Sequence, residues 1–339
     1  MLQIQKETAP WLSEIVQPLI QGRPEPLTDT LPPQQLGDSD SQWIRVEGVN
    51  VHYKDYGPKT PGAPAVLLLH GFNGSVFSWR KVMQPISGAD AFKQGCRVIA
   101  FDRPPFGLTE RPLHWSGGDA MSPYTSEGGA RLAAGLLEAL GVEKAVVVGH
   151  SAGAVTAVEL YRRAPERVAG LMLVAPALPT NDPQNSWSTG GGLGRKLRFA
   201  AVRAILQEER DGYLLPMRSH DWDKGSLLSM RTMNFAGSFP YESIAVPVKI
   251  IIGEDDTFLL KTSKRVAELL EERTVADTDL TVYPACGHVP MDDSKAEFEE
   301  DLKSFTQLCM SIECKSIAQA DMDSESTQRM PQASTSSSM

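Results

Sequence analysis

One stretch decides the fold: Ala145-Val146-Val147-Val148, then Gly149-His150-Ser151-Ala152-Gly153, then the helix-forming segment Ala154–Ala164. A short apolar run of this kind is typical of a strand that is covered on both faces of a parallel sheet. The glycines permit a sharp turn from strand to helix, which would expose the Ser151 hydroxyl at the carboxyl edge of the sheet. We therefore predict that Ser151 is a nucleophile and that the Ala152 N–H, at the helix start, donates to an oxyanion.

Short apolar runs and helix-forming segments alternate on both sides of this stretch. The runs are typical of buried parallel strands, and a hairpin pattern around Gly48 adds two antiparallel strands before them. Such alternation predicts an α/β fold with a doubly wound, mostly parallel sheet and right-handed crossovers. The predicted strands are Trp43–Glu47, Val49–Tyr56, Ala65–Leu69, Arg97–Phe101, Ala145–Val148, Leu171–Val174, Val248–Ile252 and Leu280–Tyr283, and the predicted helices are Phe77–Pro85, Glu127–Leu140, Ala152–Ala164 and Thr262–Glu272.

The alternation stops between Leu178 and about Ile244, and this break divides the chain into segments. The break contains a glycine-rich stretch and two predicted helices, Arg195–Glu209 and Ser226–Phe235, so we interpret it as a small helical cap inserted after the sixth strand. The predicted core comprises residues 41–177 and 245–309, with the cap at 178–244. Residues 1–40 predict an N-terminal arm and proline-rich linker, whereas the polar residues 310–339 predict a disordered tail.

His288 is the candidate general base. It lies in Ala285–Pro290, directly after the last predicted strand, and Gly287 frees the loop to bring the imidazole over the serine. A neutral imidazole with a pKa near the working pH is a suitable proton shuttle. The chain has six histidines, of which we interpret His70 and His150 as structural and His52, His114 and His220 as surface residues.

The acid that orients the base is expected after the first strand that follows the cap. Glu254, Asp255 and Asp256 are consecutive there, which leaves a choice. We favour Asp256, because it lies three residues past Gly253, where the loop can turn back towards the site. Asp255 stays open as an alternative, and so does Asp182, just beyond the preceding strand.

The loop His70-Gly71-Phe72 is the candidate source of a second oxyanion donor. It directly follows the predicted strand Ala65–Leu69. Gly71 permits a close approach of the backbone to the nucleophile. We therefore expect the Phe72 N–H to complete the oxyanion hole with the Ala152 N–H.

Composition excludes several classes of partner. The formal net charge of -9 argues against binding to nucleic acid or to an anionic membrane surface. No apolar run has the length of a transmembrane helix, and the N-terminus lacks a secretory pattern, so we expect a soluble intracellular protein that is not secreted. The four cysteines show no metal-ligand or disulfide spacing, and we expect Cys309 and Cys314 to be surface thiols.

These motifs together resemble the α/β-hydrolase fold superfamily, of the AB hydrolase-1 type. The resemblance covers Trp43 to Leu308 and includes Phe101–Leu108, where Pro105 replaces the glycine of many relatives and predicts a local backbone change. The segments Val76–Trp79 and Ala164–Val168 are also similar to a plant and algal subgroup with several plastid-targeted members. The resemblance implies the same fold and triad, and the subgroup suggests a chloroplast location.

The candidate residues predict hydrolysis of an ester-type bond through an acyl-enzyme, without a metal or an organic cofactor. Serine at position 151 disfavours the epoxide hydrolase and haloalkane dehalogenase branches of the superfamily, which use aspartate there. Thioesterase and C–C bond hydrolase activities remain open, as does a dephytylating esterase activity, which only the plant resemblance suggests. Use of the pocket as a small-molecule receptor also remains open, because a fold does not define its substrate.

Substrate choice would depend on the cap and on the walls of the pocket. We expect a small apolar ester as substrate, because several apolar side chains could line an acyl pocket, although each of them could equally pack in the core. These candidates are Phe77, Leu178, Trp187, Met233, Phe235 and Val289.

Overall fold

The computed structural model describes residues 30–88, 92, 94–180, 210–232, 239–272 and 277–328. Its centre is a sheet of eight strands: β1 Gln42–Val46, β2 Val49–Tyr56, β3 Ala65–Leu69, β4 Arg97–Phe101, β5 Ala145–His150, β6 Val168–Val174, β7 Val248–Gly253 and β8 Thr278–Tyr283. The strand order is β1-β2-β4-β3-β5-β6-β7-β8. The pairs β1–β2 and β2–β4 are antiparallel, and the other neighbouring pairs are parallel. The predicted doubly wound, mostly parallel sheet is confirmed.

Helices cover both faces of the sheet. Every residue of β3, β4, β5, β6 and β7 is buried, which explains why these strands are predominantly apolar. The helices are α1 Pro33–Leu36, α2 Met83–Ser87, α3 Ser126–Ala139, α4 Ala152–Arg163, α5 Arg210–Leu214, α6 Trp222–Thr232, α7 Leu260–Glu271, α8 Pro290–Asp293 and α9 Lys295–Gln328. Short 3-10 turns lie at Val76–Trp79, Asp119–Met121, Pro165–Arg167, Leu215–Arg218 and Tyr241–Ser243.

The strands divide their side chains between two apolar clusters. Leu67, Leu69 and the strand residues that share their face of the sheet pack against α3, α4 and α7. Val66 and Leu68 point to the opposite face and pack against α2, α8 and α9. Because successive side chains of a strand point to opposite faces, one apolar run supplies both layers. Packing on both faces fixes the strands, and the strands in turn position the loops at their carboxyl ends.

The segment between β6 and β7 contains α5 and α6, where the sequence predicts the cap. The second predicted cap helix, Ser226–Phe235, corresponds to α6, which begins earlier, at Trp222. The other predicted helix, Arg195–Glu209, lies outside the described residues. The described part of the predicted arm and linker, from residue 30, lies against this segment: Leu31 N donates to Arg218 O over 2.8 Å, and His220 N donates to Leu31 O over 3.0 Å.

The predicted disorder from residue 310 is wrong for residues 310–328, which continue helix α9. The packed first half of α9 supplies the nucleus, and extension of an existing helix costs far less than its initiation. The expected surface location of Cys309 is also wrong. Its side chain is 2% exposed, because it lies one turn after Phe305 on the face of α9 that covers Gly170. The side chain of Cys314 lies outside the described part of the structure.

The predicted surface location of His52 is wrong as well. His52 is 2% exposed, because β2 carries its ring inward against the fully buried Asp102 at the end of β4. The other two predicted surface residues, His114 and His220, are exposed. Among the helices in the described ranges, none combines the length and the apolar character needed to cross a membrane.

Candidate active site

Ser151 lies on a sharp turn between β5 and α4. Its φ of 52° and ψ of -119° place it in a conformation that is uncommon for residues other than glycine. The flanking glycines make the turn possible: a Cβ at Gly149 would lie 2.6 Å from Ala154 Cα, and one at Gly153 would lie 2.2 Å from Leu69 O. This is the geometry that the sequence predicts for the Gly149–Gly153 motif.

Ser151, His288 and Asp256 form a hydrogen-bonded chain. His288 Nε2 lies 3.2 Å from Ser151 Oγ, and His288 Nδ1 lies 2.6 Å from Asp256 Oδ2. With the Nδ1 proton donated to the carboxylate, the Nε2 lone pair is free to accept the serine proton. Ser151 is 6% exposed and Asp256 8%, so both groups are largely shielded from water.

The structure distinguishes the carboxylates that follow β7. Asp256 is buried, and its Oδ1 also accepts a hydrogen bond from Leu259 N over 3.2 Å. Glu254 and Asp255 are exposed. The backbone N of Asp255 donates to Cys286 O over 2.9 Å. Of these carboxylates it is therefore Asp256 that lies against the His288 ring, while Asp182 lies outside the described residues.

His150 supports the loop that carries His288. The Nε2 atom of His150 lies 2.8 Å from His288 O and donates to it. Burial, with a further contribution from the nearby His288, lowers the pKa of His150 from 6.5 to about 3. The ring is therefore neutral, and its role is structural, as the sequence predicts.

His70 supports the loop 70–75 in a similar way. Its Nδ1 donates to Gly71 O over 2.8 Å, and its Nε2 accepts from Arg103 N over 2.9 Å. Complete burial, with a further contribution from Arg103, lowers the pKa of His70 from 6.5 to about 4. This ring is also neutral, and it fixes the loop from within.

The loop 70–75 contacts the nucleophile directly. A Cβ at Gly71 would lie 3.0 Å from Ser151 Cβ, so the backbone of the loop passes close to the serine. The Phe72 ring packs edge-on against Phe106, with centroids 5.2 Å apart. Phe72 and Ala152 thus lie on the two segments that meet at Ser151, the positions expected for a pair of oxyanion donors.

The predicted substrate residues are only partly described. Phe77 packs edge-on against Tyr213 in α5, with centroids 5.2 Å apart, and Leu178 is fully buried in the core. Val289 is partly buried against the apolar cluster on the α9 side of the sheet. These contacts agree with packing roles, and an apolar acyl pocket remains a prediction. Trp187, Met233 and Phe235 lie outside the described residues.

Asp102 and Arg103 form a buried polar group for which the sequence predicts no role. Asp102 is fully buried and accepts hydrogen bonds from Val76 N at 2.7 Å, Leu108 N at 2.6 Å and His52 Nδ1 at 2.6 Å. Burial alone would raise the pKa of Asp102, but His52 and the Leu108 N–H outweigh it and hold the pKa below 3.8. Arg103 donates from Nη2 to His70 O over 3.1 Å. The motif Phe101–Leu108, which carries part of the family resemblance, is the sequence signal for this group.

A cavity of about 240 Å³ adjoins the end of the loop 70–75 and the 3-10 turn that follows it. Its described walls include His52, Asp102, Phe77 and Leu215, but not the residues of the Ser151 chain. The peptide bond between Pro104 and Pro105, in the segment that follows Asp102, is cis. Within the described ranges, no group of three or more His, Cys, Asp and Glu side chains has an arrangement that could hold a metal ion.

The alpha/beta hydrolase family matches residues 66–301, and the chain belongs to this family. The uncharacterised hydrolase YugF of Bacillus subtilis is 35% identical over 38% of this chain and 42% of its own length. Epoxide hydrolase A of Mycobacterium tuberculosis is 32% identical over 42% of this chain and 41% of its own length. The chain thus matches less than half the length of these curated relatives.

Solved structures agree with the fold. A meta-cleavage product hydrolase of Pseudomonas fluorescens superposes with a TM-score of 0.58 at 24% identity. The superposition covers 78% of this chain and 97% of the other. At that level of identity the similarity shows the fold alone, and the reaction has to be inferred from the residues of the site.

Proposed function

We propose that the protein is a serine hydrolase that cleaves ester-type bonds, with Ser151 as nucleophile, His288 as general base and acid, and Asp256 as the group that orients the imidazole. The observation that carries this proposal is the hydrogen-bonded chain, with 3.2 Å between Ser151 Oγ and His288 Nε2 and 2.6 Å between His288 Nδ1 and Asp256 Oδ2. These contacts are those required to activate a serine alcohol, which is a weak nucleophile alone.

In the first step His288 Nε2 takes the Ser151 proton while Oγ attacks the carbonyl carbon of the substrate. The Phe72 and Ala152 N–H groups stabilise the oxyanion of the tetrahedral intermediate, and the buried Asp256 carboxylate stabilises the imidazolium. His288 then donates its proton to the leaving alcohol, which breaks the C–O bond and leaves an acyl-enzyme on Ser151.

In the second step His288 removes a proton from a water molecule, which attacks the acyl carbon. The second tetrahedral intermediate collapses when His288 returns the proton to Ser151 Oγ, releasing the carboxylic acid. The cycle restores the starting protonation states and requires no redox partner. The proposed substrate is a small apolar ester, and a chloroplast or cytoplasmic location remains a prediction.

The identity of residue 151 supports acyl transfer over epoxide opening. One relative is an epoxide hydrolase, and that branch of the superfamily uses aspartate at this position, whereas this chain has serine. An alkoxide formed from serine attacks an acyl carbon and is released by water attack on the same carbon. Esterase chemistry therefore follows more directly from this site.

Fluorophosphonate labelling, measured by intact mass, tests the nucleophile, with hydrolysis of short p-nitrophenyl acyl esters measured in parallel. We expect the wild-type protein to gain one adduct and to hydrolyse ester, and Ser151→Ala to do neither. Ser41→Ala is the matched control, because Ser41 Oγ also lies within hydrogen-bond distance of a histidine, 2.9 Å from His52 Nε2. A folded wild-type protein that neither labels nor hydrolyses ester would overturn the proposal and favour the receptor hypothesis.

A further inference from the structure

A second Ser-His-Asp chain lies apart from the proposed catalytic residues. His52 Nδ1 is 2.6 Å from Asp102 Oδ2, and His52 Nε2 is 2.9 Å from Ser41 Oγ. Its environment does not suit a nucleophile. Ser41 Oγ lies 2.5 Å from Asp38 Oδ1 and donates its proton to that carboxylate, so the proton is not directed at the imidazole. A serine that a histidine cannot deprotonate is a weak nucleophile, so another role has to explain the chain.

Asp102 connects this chain to the loop 70–75. Its Oδ1 accepts from Val76 N over 2.7 Å, and Val76 is the first residue of the 3-10 turn that follows the loop. Its Oδ2 accepts from Leu108 N and from His52. The far end of the loop that carries Phe72 is therefore attached to one buried carboxylate, while the near end is attached through His70 to Arg103.

His52 is the side chain that completes the hydrogen bonding of this carboxylate. Asp102 is fully buried, and a buried charge that loses a partner is costly unless it moves or takes up a proton. Its other two partners are backbone N–H groups, which cannot follow a rotation of the carboxyl group. Loss of the His52 bond would therefore disturb the Val76 bond and, with it, the position of the loop.

We propose that His52 is a positioning residue for the proposed oxyanion hole and acts through Asp102 on the loop 70–75. The proposal rests on the proposed function, in which the Phe72 N–H stabilises the oxyanion. His52 touches neither the substrate nor the reacting atoms. It acts by keeping one N–H donor where charge develops in the transition state.

Two amide substitutions separate the two bonds of the ring. Asparagine places an N–H near the position of Nδ1, so His52→Asn can keep the Asp102 bond while it loses the Ser41 bond. Glutamine reaches the position of Nε2, so His52→Gln can keep the Ser41 bond while it loses the Asp102 bond. Removal of one oxyanion donor costs 10²–10³-fold in kcat in other enzymes, and displacement of a donor should cost part of that, about tenfold. We expect His52→Gln to lose about tenfold in kcat with KM unchanged, and His52→Asn to remain within about threefold of wild type.

Val76→Pro tests the link between Asp102 and the loop directly, by removing the hydrogen bond between Val76 N and Asp102. Proline removes the N–H that Asp102 accepts, and it is tolerated at the first position of a helical turn. We expect Val76→Pro to reproduce the kcat loss of His52→Gln, and this variant carries the test if His52→Gln does not fold. Amide hydrogen exchange at Val76 is measured in parallel and should be faster in His52→Gln than in His52→Asn or wild type.

The outcomes separate this inference from the proposed function. An active wild-type protein in which His52→Gln and Val76→Pro both keep kcat would overturn the positioning role alone. Equal losses in His52→Asn and His52→Gln would do the same, because the Asp102 bond would then not be the one that counts. A wild-type protein that shows neither labelling nor turnover would overturn the proposed function, and the positioning role of His52 in catalysis would be overturned with it.

Discussion

The Nε2 atom of His150 donates a hydrogen bond to the backbone carbonyl of His288 over 2.8 Å, so the residue before the nucleophile holds the loop of the proposed base. The two rings also lie close, with centroids 5.0 Å apart. Because β5 and the loop after β8 are distant in sequence, this bond ties together two segments whose relative position sets the distance between Ser151 and His288.

Replacement of His150 should therefore affect both stability and turnover. His150→Leu leaves the His288 carbonyl without its donor, and we expect a loss of about 1–3 kcal/mol in the free energy of unfolding. Esterase kcat should fall by about tenfold, since a misplaced base transfers the proton less effectively. His150→Gln, which can still donate to the carbonyl, is the matched control and should recover most of both losses. Urea unfolding and steady-state kinetics measure the two effects, and an unchanged kcat in His150→Leu would contradict the prediction.

Stability should decrease as the pH falls from 6.5 towards 4. Burial lowers the pKa of His70 to about 4 and that of His150 to about 3, so both rings stay neutral in the folded protein through this range. The unfolded chain takes up a proton at each ring below 6.5, and the state that binds more protons is favoured as the pH falls. Each ring contributes at most ~1.4 kcal/mol per pH unit.

Urea unfolding at several pH values measures this slope. His150→Gln removes one of the two titrating rings, so its slope between pH 6 and 4.5 should be smaller by up to ~1.4 kcal/mol per pH unit. Asp102 acts in a lower range: its pKa is held below 3.8, so its contribution is lost only as the pH falls below that value. Parallel slopes for the variant and the wild type would show that His150 does not contribute.

Asp256→Asn should reduce kcat by about 10²–10⁴-fold with little change in KM. The amide cannot stabilise the imidazolium, and it favours the wrong tautomer of His288. Asp255→Asn is the matched control: Asp255 is exposed and the variant keeps the backbone N–H that donates to Cys286 O, so the activity of the variant should stay within about twofold of wild type. Equal losses in the two variants would show that the acid has been misassigned.

Gly107→Ala should destabilise the protein by about 3–5 kcal/mol, because it combines backbone strain with a clash. Gly107 has a φ of 58°, and a Cβ there would lie 1.8 Å from Asp102 Cγ. Gly48→Ala separates the two causes: Gly48 has a φ of 83°, but no atom lies within 4 Å of the added Cβ. Its loss should be the strain alone, about 1–2 kcal/mol. Similar midpoints of thermal unfolding for the two variants would contradict the role of the Asp102 contact.

Local patterns in the sequence predict most of the strands and the nucleophile. The strands Ala65–Leu69 and Arg97–Phe101 are observed with the predicted bounds. They are predictable because a strand buried on both faces is apolar at nearly every position, which is a property of adjacent residues. The glycines around Ser151 are predictable for a similar reason, since a sharp strand-to-helix turn excludes side chains at those positions.

Tertiary structure alone decided which polar residues become buried partners. Glu254, Asp255 and Asp256 are consecutive carboxylates, and only the approach of the His288 loop makes Asp256 the buried one. His52 lacks any local motif, and it is buried because β2 pairs with β4 and brings it to Asp102, fifty residues away in the chain. The extension of α9 past residue 310 depends in the same way on a helix nucleus that is stabilised by packing against the sheet. A hydrogen bond between distant segments depends on where the fold places both partners. A local sequence pattern contains only one of the two partners and therefore cannot predict the bond.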